Sequence, residues 1–253
     1  MSDSSKIYGL IGRSLSHSFS MDFFNQKFVS EGIDAQYFNF ELADVGELMT
    51  IFSEYPNLGG LNVTMPFKET VIPFMDSLDD TAQQVGAVNV IKIVRGEKAG
   101  VMRLVGYNTD CGAFKNTIAP LLTEAMQKAL VLGTGGAGKA VGAALESLGI
   151  DVDFVSRRKS SSTITYEELT KQMILNHKII VNATPLGTYP FTEKSPTIPY
   201  RFVTAEHLCY DLVYNPGETM FMKMARSSGA MVKNGLEMLL LQAFESYRIW
   251  TAE

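Results

Sequence analysis

The sequence predicts an α/β protein built from two domains. Strand-like and helix-like segments alternate along the first part of the chain, and a second alternation begins near Ala129. Such alternation is typical of a mostly parallel sheet with helices on its faces. The length of 253 residues is sufficient for two domains. We expect residues 1–109 plus 236–253 to form the first domain and residues 110–235 to form the second.

The composition is that of an acidic globular protein. Hydrophobic residues make up 46% of the chain and charged residues 19%, which is enough apolar material for two cores. The formal net charge of −5 gives no support for nucleic-acid binding. The 2 cysteines and 3 histidines form no cluster with metal-ligand spacing, and no apolar stretch reaches the length of about 18 residues that a membrane span needs. We therefore expect a cytoplasmic monomer or homodimer with no metal, nucleic-acid partner or membrane partner.

The first domain is predicted from short strands and helices. Gly32 ends the first helix, and Gly59-Gly60 is expected to form the turn into the third strand. The charged and glycine-containing segment 95–100 is expected to be a hairpin loop. In order, the predicted elements are a strand at 6–11, a polar loop at 12–20, a helix at 21–30, a strand at 37–40, a helix at 45–55, a strand ending at 64, and strands at 88–94 and 101–105.

The segment 62–68 (NVTMPFK) is the most informative in this half. Strand alternation places Asn62 and Thr64 on one face, opposite Leu61. Two hydrogen-bonding side chains and Lys68 therefore follow one another at the carboxyl end of a strand, where open α/β sheets bind ligands. On spacing alone, a strand with a polar outer face and a solvated lysine explains the pattern at least as well.

The second domain begins with an apolar strand, 129–132 (ALVL), that leads directly into the loop 133–138 (GTGGAG). A helix at 139–148 and a strand at 152–155 are predicted to follow. Between a strand and a helix, the G-x-G-x-x-G pattern predicts a Rossmann-type dinucleotide-binding domain. Its backbone amides approach a pyrophosphate at the helix N-terminus. The residues assigned to this contact are Gly133, Gly135, Gly136 and Ala137. The remaining predicted elements are strands at 178–181 and 208–213 and a helix running to about residue 250.

The residues after the strand at 152–155 predict which dinucleotide binds. NAD-binding domains usually have an acidic residue there, which binds the ribose 2′-hydroxyl. Here the strand is followed by Ser156, Arg157 and Arg158, whose positive charge suits the 2′-phosphate of NADP. Asp153, 20 residues after Gly133, is the acidic alternative, but it lies inside the strand. NADP is therefore the expected cofactor, and a solvated basic turn is the structural alternative.

In content and in order, these motifs resemble the shikimate dehydrogenase family, whose members reduce 3-dehydroshikimate with NADPH on the route to chorismate and the aromatic amino acids. The resemblance covers nearly the whole chain, about 8–250. It implies that Ser18 and Ser20, in the segment 17–20 (HSFS), hold the substrate carboxylate. It also implies that Lys68 is the catalytic lysine and that Asp110, in the segment 108–110 (NTD), pairs with it.

The same resemblance supplies the other site residues. The segments 86–89 (GAVN), 182–187 (NATPLG), 211–216 (DLVYNP) and 234–239 (NGLEML) match motifs of the family. The implied substrate contacts are Ser18, Ser20, Asn62, Thr64, Asn89, Tyr214 and Gln242. Besides the glycine loop, the implied cofactor contacts are Ser156, Arg157, Arg158, Thr184 and Gly235.

Lys68 and Asp110 are the candidates for proton transfer. Moving a hydride between a nicotinamide and a secondary alcohol requires a proton to move at the oxygen. A lysine can move it if its pKa falls from about 10.4 toward roughly 7–8, whereas a nearby carboxylate favours the charged lysine and orients it. The sequence leaves the separate acid and base roles open, and Asp110 has the alternative role of a helix N-cap. His17 is expected to make structural hydrogen bonds.

The C-terminal helix carries a glutamine among apolar residues. Gly235, Met238 and Gln242 share one stripe of the helix, at positions i, i+3 and i+7. A glutamine in these surroundings needs a hydrogen-bond partner, and either a substrate hydroxyl or a backbone carbonyl would serve. We expect the helix to return to the first domain, with the active site in a cleft between the domains.

Three functions agree with these patterns. The first is an NADP-dependent shikimate dehydrogenase. The second is a quinate or quinate/shikimate dehydrogenase of the same family, although Arg157 and Arg158 argue against its NAD-preferring forms. The third is a non-catalytic, NADP-responsive regulator with the same fold. The presence of both Lys68 and Asp110 argues against a regulator, because a sensor needs no proton-transfer pair.

Overall fold

The computed structural model describes residues 5–16, 18–96 and 102–252. His17, Val101 and most of the hairpin loop predicted at 95–100 lie outside the described residues. The chain divides into two compact units, each with its own six-stranded sheet, which confirms the predicted two-domain α/β fold. Unit 1 consists of Met1–Thr109 and Ala243–Glu253, and unit 2 of Asp110–Gln242.

Unit 1 contains a mixed sheet. Its strands are β1 (Lys6–Gly12), β2 (Ala35–Glu41), β3 (Leu58–Val63), β4 (Ser77–Leu78), β5 (Val90–Arg95) and β6 (Met102–Tyr107). Its helices are α1 (Phe19–Glu31), α2 (Leu48–Glu54), α3 (Phe67–Thr70) and α4 (Asp80–Val85). The strand order is β2-β1-β3-β5-β6-β4, in which β5 runs antiparallel to both of its neighbours. The sheet is therefore less uniformly parallel than the alternation of elements predicts.

Side chains of β3 point to opposite faces of the sheet, as predicted. Leu61 and Val63 lie in a core cluster with Ile11 and Ile91. Asn62 points to the opposite face, where its amide meets the hydroxyl of Tyr37. The carboxyl end of β3 thus carries a polar group toward one face and apolar groups toward the other.

The prediction of a turn at Gly59-Gly60 is wrong, because both residues lie within β3. The ring of Tyr8 lies against Gly59, and the indole of Trp250 lies against Gly60. A Cβ atom at Gly60 would be only 2.2 Å from Cδ1 of Trp250. Glycine is needed here because aromatic rings pack directly on the strand backbone.

Helix α1 ends at Gly32 as its sequence predicts, but it begins at Phe19, two residues earlier than predicted and within the predicted loop. Ser18 is the N-cap, and its hydroxyl accepts a hydrogen bond from the backbone N–H of Ser20 at 3.3 Å. Gly32 ends the helix in the left-handed conformation, with φ of 65°. The two serines of the HSFS segment therefore lie at the first turn of α1.

Unit 2 contains an all-parallel sheet. Its strands are β7 (Lys128–Leu132), β8 (Asp151–Ser156), β9 (Thr163–Thr165), β10 (Ile179–Asn182), β11 (Leu208–Asp211) and β12 (Met231–Lys233). Its helices are α5 (Asp110–Ile118), α6 (Gly136–Glu146), α7 (Lys171–Asn176), α8 (Met220–Ser227) and α9 (Leu236–Thr251), the last of which continues into unit 1 after Gln242.

The strand order of unit 2 confirms the predicted Rossmann-type fold. The order is β12-β11-β10-β7-β8-β9, and every pair is parallel. When the strands are numbered within the unit, with β7 as strand 1, and the sheet is read from β9 to β12, this is the 3-2-1-4-5-6 order of dinucleotide-binding sheets. The order reverses between β7 and β10, and ligands bind beyond the carboxyl ends of the strands at such a point. Within the described ranges, no helix is long and apolar enough to cross a membrane.

Candidate functional site

The glycine loop after β7 has the geometry of a phosphate-binding turn. Gly133 has φ of 113°, a left-handed conformation that favours glycine. A Cβ atom on Gly138 would lie 2.2 Å from the carbonyl oxygen of Gly133, so that position accepts no side chain without a shift. A Cβ atom on Gly135, by contrast, would meet nothing within 4 Å. The loop is therefore closely packed at Gly133 and Gly138 and open at Gly135.

The open side of the loop coincides with the N-terminus of α6. Gly135 is the N-cap of this helix and supplies no side-chain hydrogen bond to its first turn. The first amides of a helix have no intrahelical partner and carry the positive end of the helix dipole. These features fit the pyrophosphate of a dinucleotide, and the residues at the turn are the predicted Gly135, Gly136 and Ala137.

A buried hydrogen-bond network holds the adjacent loops at the ends of β10 and β11. The Asn182 amide donates to the Asp211 carboxylate at 2.9 Å, and its oxygen accepts from the Thr184 hydroxyl at 2.6 Å. Asp211 also accepts from the backbone of Val213 at 3.0 Å and from the Thr219 hydroxyl at 2.5 Å. Burial raises the pKa of Asp211 to about 6, although these hydrogen bonds favour its charged form. Thr184 is thus fixed beside the glycine loop.

Two further predicted residues lie near this network. The backbone of Gly235 packs directly on Leu212, and a Cβ atom there would lie 2.1 Å from the Leu212 carbonyl oxygen. The Gly235 N–H donates to the carbonyl of Val213 at 3.1 Å. Tyr214, the next residue of that loop, is half-buried. Gly235 therefore permits the start of α9 to pack closely on the loop that carries Tyr214.

The basic residues after β8 form an exposed turn. The Ser156 hydroxyl accepts from the backbone N–H of Arg158 at 3.3 Å, and the side chains of Arg157 and Arg158 are exposed. Lys159, in contrast, forms an ion pair with Glu168. The two arginines are therefore available to an anionic group at the tip of β8.

Asp153, the acidic alternative, is engaged elsewhere. Its carboxylate lies 2.8 Å from Nε2 of the buried His177. His177 is the C-cap of α7 and precedes β10, so this pair forms on the amino-end side of the sheet. Dinucleotides bind at the opposite, carboxyl end. The side chain of Asp153 is therefore placed away from a ribose at the tip of β8.

In unit 1, Asn62 is the centre of a buried polar cluster. Its Oδ1 accepts from the Tyr37 hydroxyl at 2.8 Å. Its Nδ2 donates to the Ser246 hydroxyl at 2.9 Å and lies 3.4 Å from the carbonyl oxygen of Asn89. Burial raises the pKa of the Tyr37 phenol well above its usual value, and the side chain of Ser20 opposes part of this rise. The structure thus brings two predicted substrate residues together, because the side chain of Asn62 meets the backbone of Asn89.

Asn89 also positions the chain that leads to Asp110. Its Oδ1 accepts from the backbone N–H of Thr109 at 2.8 Å, and its Nδ2 donates to the Thr109 hydroxyl at 2.9 Å. Asn108 donates to the carbonyl of Ala87 at 2.8 Å. Asp110 follows directly, as the buried first residue of α5. Asp110 is therefore the first residue inside the helix, whereas the N-cap, the alternative that the sequence left open, is the position before it.

Lys68 and Thr64 lie just beyond the end of β3. Lys68 is half-buried in the single turn of α3, and its backbone carbonyl accepts from Val88 at 2.7 Å. The backbone N–H of Thr64 donates to the carbonyl of Ile11 at 2.9 Å. The methyl group of Thr64 packs on Gly12, where a Cβ atom would lie 2.6 Å away. Backbone contacts with neighbouring segments therefore fix both residues.

Gln242 has a backbone partner. Its Nε2 donates to the carbonyl of Leu239 at 2.9 Å, which is one of the two alternatives that the sequence left open. Met238, on the same stripe, is buried in the core of unit 2. Gln242 is the last residue of that unit, and Ala243 begins the return of the chain to unit 1.

Sequence reasoning assigned no role to four residues of these networks. Tyr37 and Ser246 complete the cluster around Asn62, and Asn182 and Asp211 hold the loops beside the glycine turn. Ser246 lies four residues after Gln242 in α9, on the same face of the helix, and this spacing is the signal that could have identified it. In the part of the chain that the structure describes, no three His, Cys, Asp or Glu residues are placed to hold a metal.

The sheet order and the open glycine turn define a protein with a dinucleotide-binding domain. Comparison with known proteins narrows this class. The sequence model of the shikimate dehydrogenase substrate binding domain matches residues 10–91. The shikimate dehydrogenase (NADP(+)) of Carboxydothermus hydrogenoformans is 34% identical over 97% of this chain and 91% of its own length. The chain therefore belongs to the shikimate dehydrogenase family.

Solved structures agree with this relationship along the full length. Shikimate dehydrogenase from Aquifex aeolicus superposes with a TM-score of 0.84 at 33% identity, covering 99% of this chain and 94% of that one. Shikimate 5-dehydrogenase from Thermus thermophilus, solved in complex with NADP(H) and shikimate, has a TM-score of 0.81 at 29% identity, covering 97% of this chain and 93% of that one.

Proposed function

We propose that this protein is an NADP-dependent shikimate dehydrogenase that reversibly reduces 3-dehydroshikimate to shikimate. The observation that carries the proposal is similarity over 97% of the chain to a relative named as an NADP(+) enzyme of this kind. The glycine turn, open at Gly135 against the start of α6, supports the dinucleotide part of the proposal. Unit 1 is the substrate-binding and catalytic part, and unit 2 is the NADP-binding part. A cytoplasmic location and a monomeric or homodimeric state are parts of the same proposal.

The choice of NADP is supported by the charges at the tip of β8. Ser156, Arg157 and Arg158 are the residues that would bind the 2′-phosphate, because exposed guanidinium groups form charge-assisted hydrogen bonds with phosphate oxygens. Asp153, which would favour a 2′-hydroxyl, is paired with His177. Gly133, Gly135, Gly136 and Ala137 would hold the pyrophosphate, with Thr184 and Gly235 on the adjoining loops.

We assign the transfer of a proton to the substrate oxygen to Lys68 and Asp110. Bound NADPH would supply a hydride to the carbonyl carbon of the substrate, and the carbonyl oxygen must then receive a proton. The ammonium of Lys68 carries hydrogens that it can donate. Asp110 is a buried carboxylate, which favours a charged lysine and can accept a hydrogen bond from a substrate hydroxyl. We assign the substrate carboxylate to Ser18 and Ser20, and the ring hydroxyls to the remaining polar residues of the site: Asn62, Thr64, Asn89, Tyr214 and Gln242.

Turnover with shikimate and NADP tests the function directly. Lys68→Ala should lower kcat by about 10²–10⁴, the usual contribution of general acid–base catalysis, and should leave NADP binding nearly unchanged. Asp110→Asn should also slow turnover. Lys92, also half-buried in unit 1, is the matched control, because its ammonium donates to the carbonyl of Ala252, the residue that follows α9. Lys92→Ala should keep kcat near that of the unaltered protein.

The same assay separates the alternative functions. Higher kcat/KM with quinate than with shikimate would identify a quinate dehydrogenase. NADP binding without turnover of either substrate would identify a regulator. Near-normal kcat in both Lys68→Ala and Asp110→Asn would show that the proton-transfer residues lie elsewhere.

A further inference from the structure

We propose that Tyr37 and Ser246 are positioning residues of the substrate site, which hold the amide of Asn62 in one orientation. The inference rests on the proposed function, because it takes Asn62 as a substrate contact. Neither Tyr37 nor Ser246 needs to touch the substrate. They act through Asn62, which does.

The surroundings of Asn62 permit only one orientation of its amide. The backbone carbonyl of Asn89 can only accept a hydrogen bond, so the amide nitrogen of Asn62 must face it, at 3.4 Å. The same nitrogen donates to the Ser246 hydroxyl at 2.9 Å. The amide oxygen therefore faces Tyr37, whose hydroxyl must donate to it, at 2.8 Å. Reversing the amide would leave the Asn89 carbonyl facing another oxygen.

Tyr37 is held firmly enough to fix its partner. Its ring stacks on Phe24, with centroids 4.7 Å apart and planes at 14°. The side chain of Asn25 in α1 forms two hydrogen bonds of 2.9 Å with the Tyr37 backbone: its oxygen accepts from the N–H, and its nitrogen donates to the carbonyl. The side chain is buried, and burial raises the pKa of the phenol well above its usual value, so the hydroxyl keeps its proton.

Ser246 anchors the other side of the amide from α9. It is fully buried and lies four residues after Gln242 in that helix. Asn62 and Ser246 are 184 residues apart in sequence, so their hydrogen bond ties the strand that carries one assigned substrate contact to the returning C-terminal segment. Both amide hydrogens of Asn62 and one lone pair of its oxygen are thus engaged by fixed neighbours. The second lone pair of the oxygen is left to accept from a substrate hydroxyl, and the amide is pre-organised before a ligand arrives.

Steady-state kinetics of Tyr37→Phe and Ser246→Ala test the inference. Each variant should raise KM for shikimate by about 3–10-fold, the effect of one uncharged hydrogen bond, while kcat changes by less than about twofold. The dissociation constant of NADP, measured without substrate, should not change. In an Asn62→Ala background, Tyr37→Phe should add little to KM, because the residue through which it acts is gone.

Tyr210→Phe is the matched control. Tyr210 is also fully buried, and its hydroxyl forms a 2.8 Å hydrogen bond with Thr117 inside unit 2. This variant should lose stability to a similar degree while KM for shikimate stays normal. An unchanged KM in Tyr37→Phe, or an equal rise in Tyr210→Phe, would overturn the positioning role alone. If the unaltered protein fails to turn over shikimate with NADP, the proposed function and this inference both fall.

Discussion

At the scale of single residues, Asp211 shows how burial and hydrogen bonding oppose each other. Burial raises its pKa from 3.8 to about 6, although Thr219, Val213 and Asn182 all donate to the carboxylate. The folded chain therefore binds this proton more tightly than the unfolded chain does. The contribution of Asp211 to stability is greatest below about pH 4 and falls as the pH rises toward about 6.

Asp211→Asn should remove this pH dependence. The amide cannot ionise, so the free energy of unfolding of the variant, relative to the unaltered protein, should rise by about 1–3 kcal/mol between about pH 4 and pH 7. Changes in hydrogen bonding to Thr219 would add an offset that does not vary with pH. Urea unfolding of both proteins at several pH values measures the difference. A constant difference across this range would mean that the pKa of Asp211 is close to normal.

Arg157 provides the corresponding test of cofactor choice. Arg157→Ala should weaken NADP binding by roughly 1.5–3 kcal/mol, the contribution of a charge-assisted hydrogen bond, and leave NAD binding nearly unchanged. Titration with each cofactor measures the two affinities. Arg201→Ala removes an equal charge from another exposed position of unit 2, next to Phe202, and controls for the overall change in charge. Equal losses for NADP and NAD would show that Arg157 does not bind the 2′-phosphate.

At the scale of secondary structure, the turn between β7 and α6 separates two uses of glycine. Gly138 lies so close to the carbonyl of Gly133 that a side chain there must displace the backbone. Gly135 has extended backbone angles that alanine also adopts, and the space beside it is open. Gly138 is therefore needed for close packing, and Gly135 keeps open the surface that a pyrophosphate would occupy.

Alanine substitutions should separate these two roles. Gly138→Ala should lower the melting temperature, because the new methyl group overlaps the loop backbone. Gly135→Ala should keep a near-normal melting temperature but lose most of its affinity for NADP, because the methyl group would project into the open face of the turn. Thermal unfolding with and without NADP distinguishes the variants. Normal NADP affinity in Gly135→Ala would place the pyrophosphate elsewhere.

The same elements show what the sequence could and could not predict. The glycine loop, the end of β3 and the helix stop at Gly32 were predictable, because each depends on residues adjacent in the chain. Gly59-Gly60 was mistaken for a turn because the reason for these glycines, the rings of Tyr8 and Trp250, lies far away in sequence. The Tyr37 and Ser246 contacts to Asn62 span 25 and 184 residues, so no pattern in the sequence around Asn62 predicts either partner.

At the scale of the whole chain, unit 1 is discontinuous and unit 2 is continuous. The chain leaves unit 1 after Thr109 and re-enters it at Ala243. The returning segment brings Trp250, whose ring stacks on Tyr8 with centroids 4.8 Å apart and whose Nε1 donates to the carbonyl of Ile91 at 3.0 Å. The last residues of the chain therefore complete a core begun by the first strand.

Trp250→Ala should destabilise unit 1 strongly. Removing a buried aromatic side chain typically costs about 3–5 kcal/mol, and here it also leaves the space over Gly60 empty. Phe244→Ala, a change of similar size in the same helix, should cost much less, because Phe244 is 49% exposed. Urea unfolding followed by circular dichroism compares the two variants. Equal losses of unfolding free energy in the two variants would mean that packing of the Trp250 indole does not stabilise the returning segment.

Trp250 is also the single tryptophan of the protein. Because it belongs to unit 1, its fluorescence emission reports the unfolding of that unit alone, without an added label. Far-ultraviolet circular dichroism records helices and strands of both units. Coincident transitions by the two signals would show that the units unfold together, and separate transitions would show that the discontinuous unit opens at a different denaturant concentration from the continuous one.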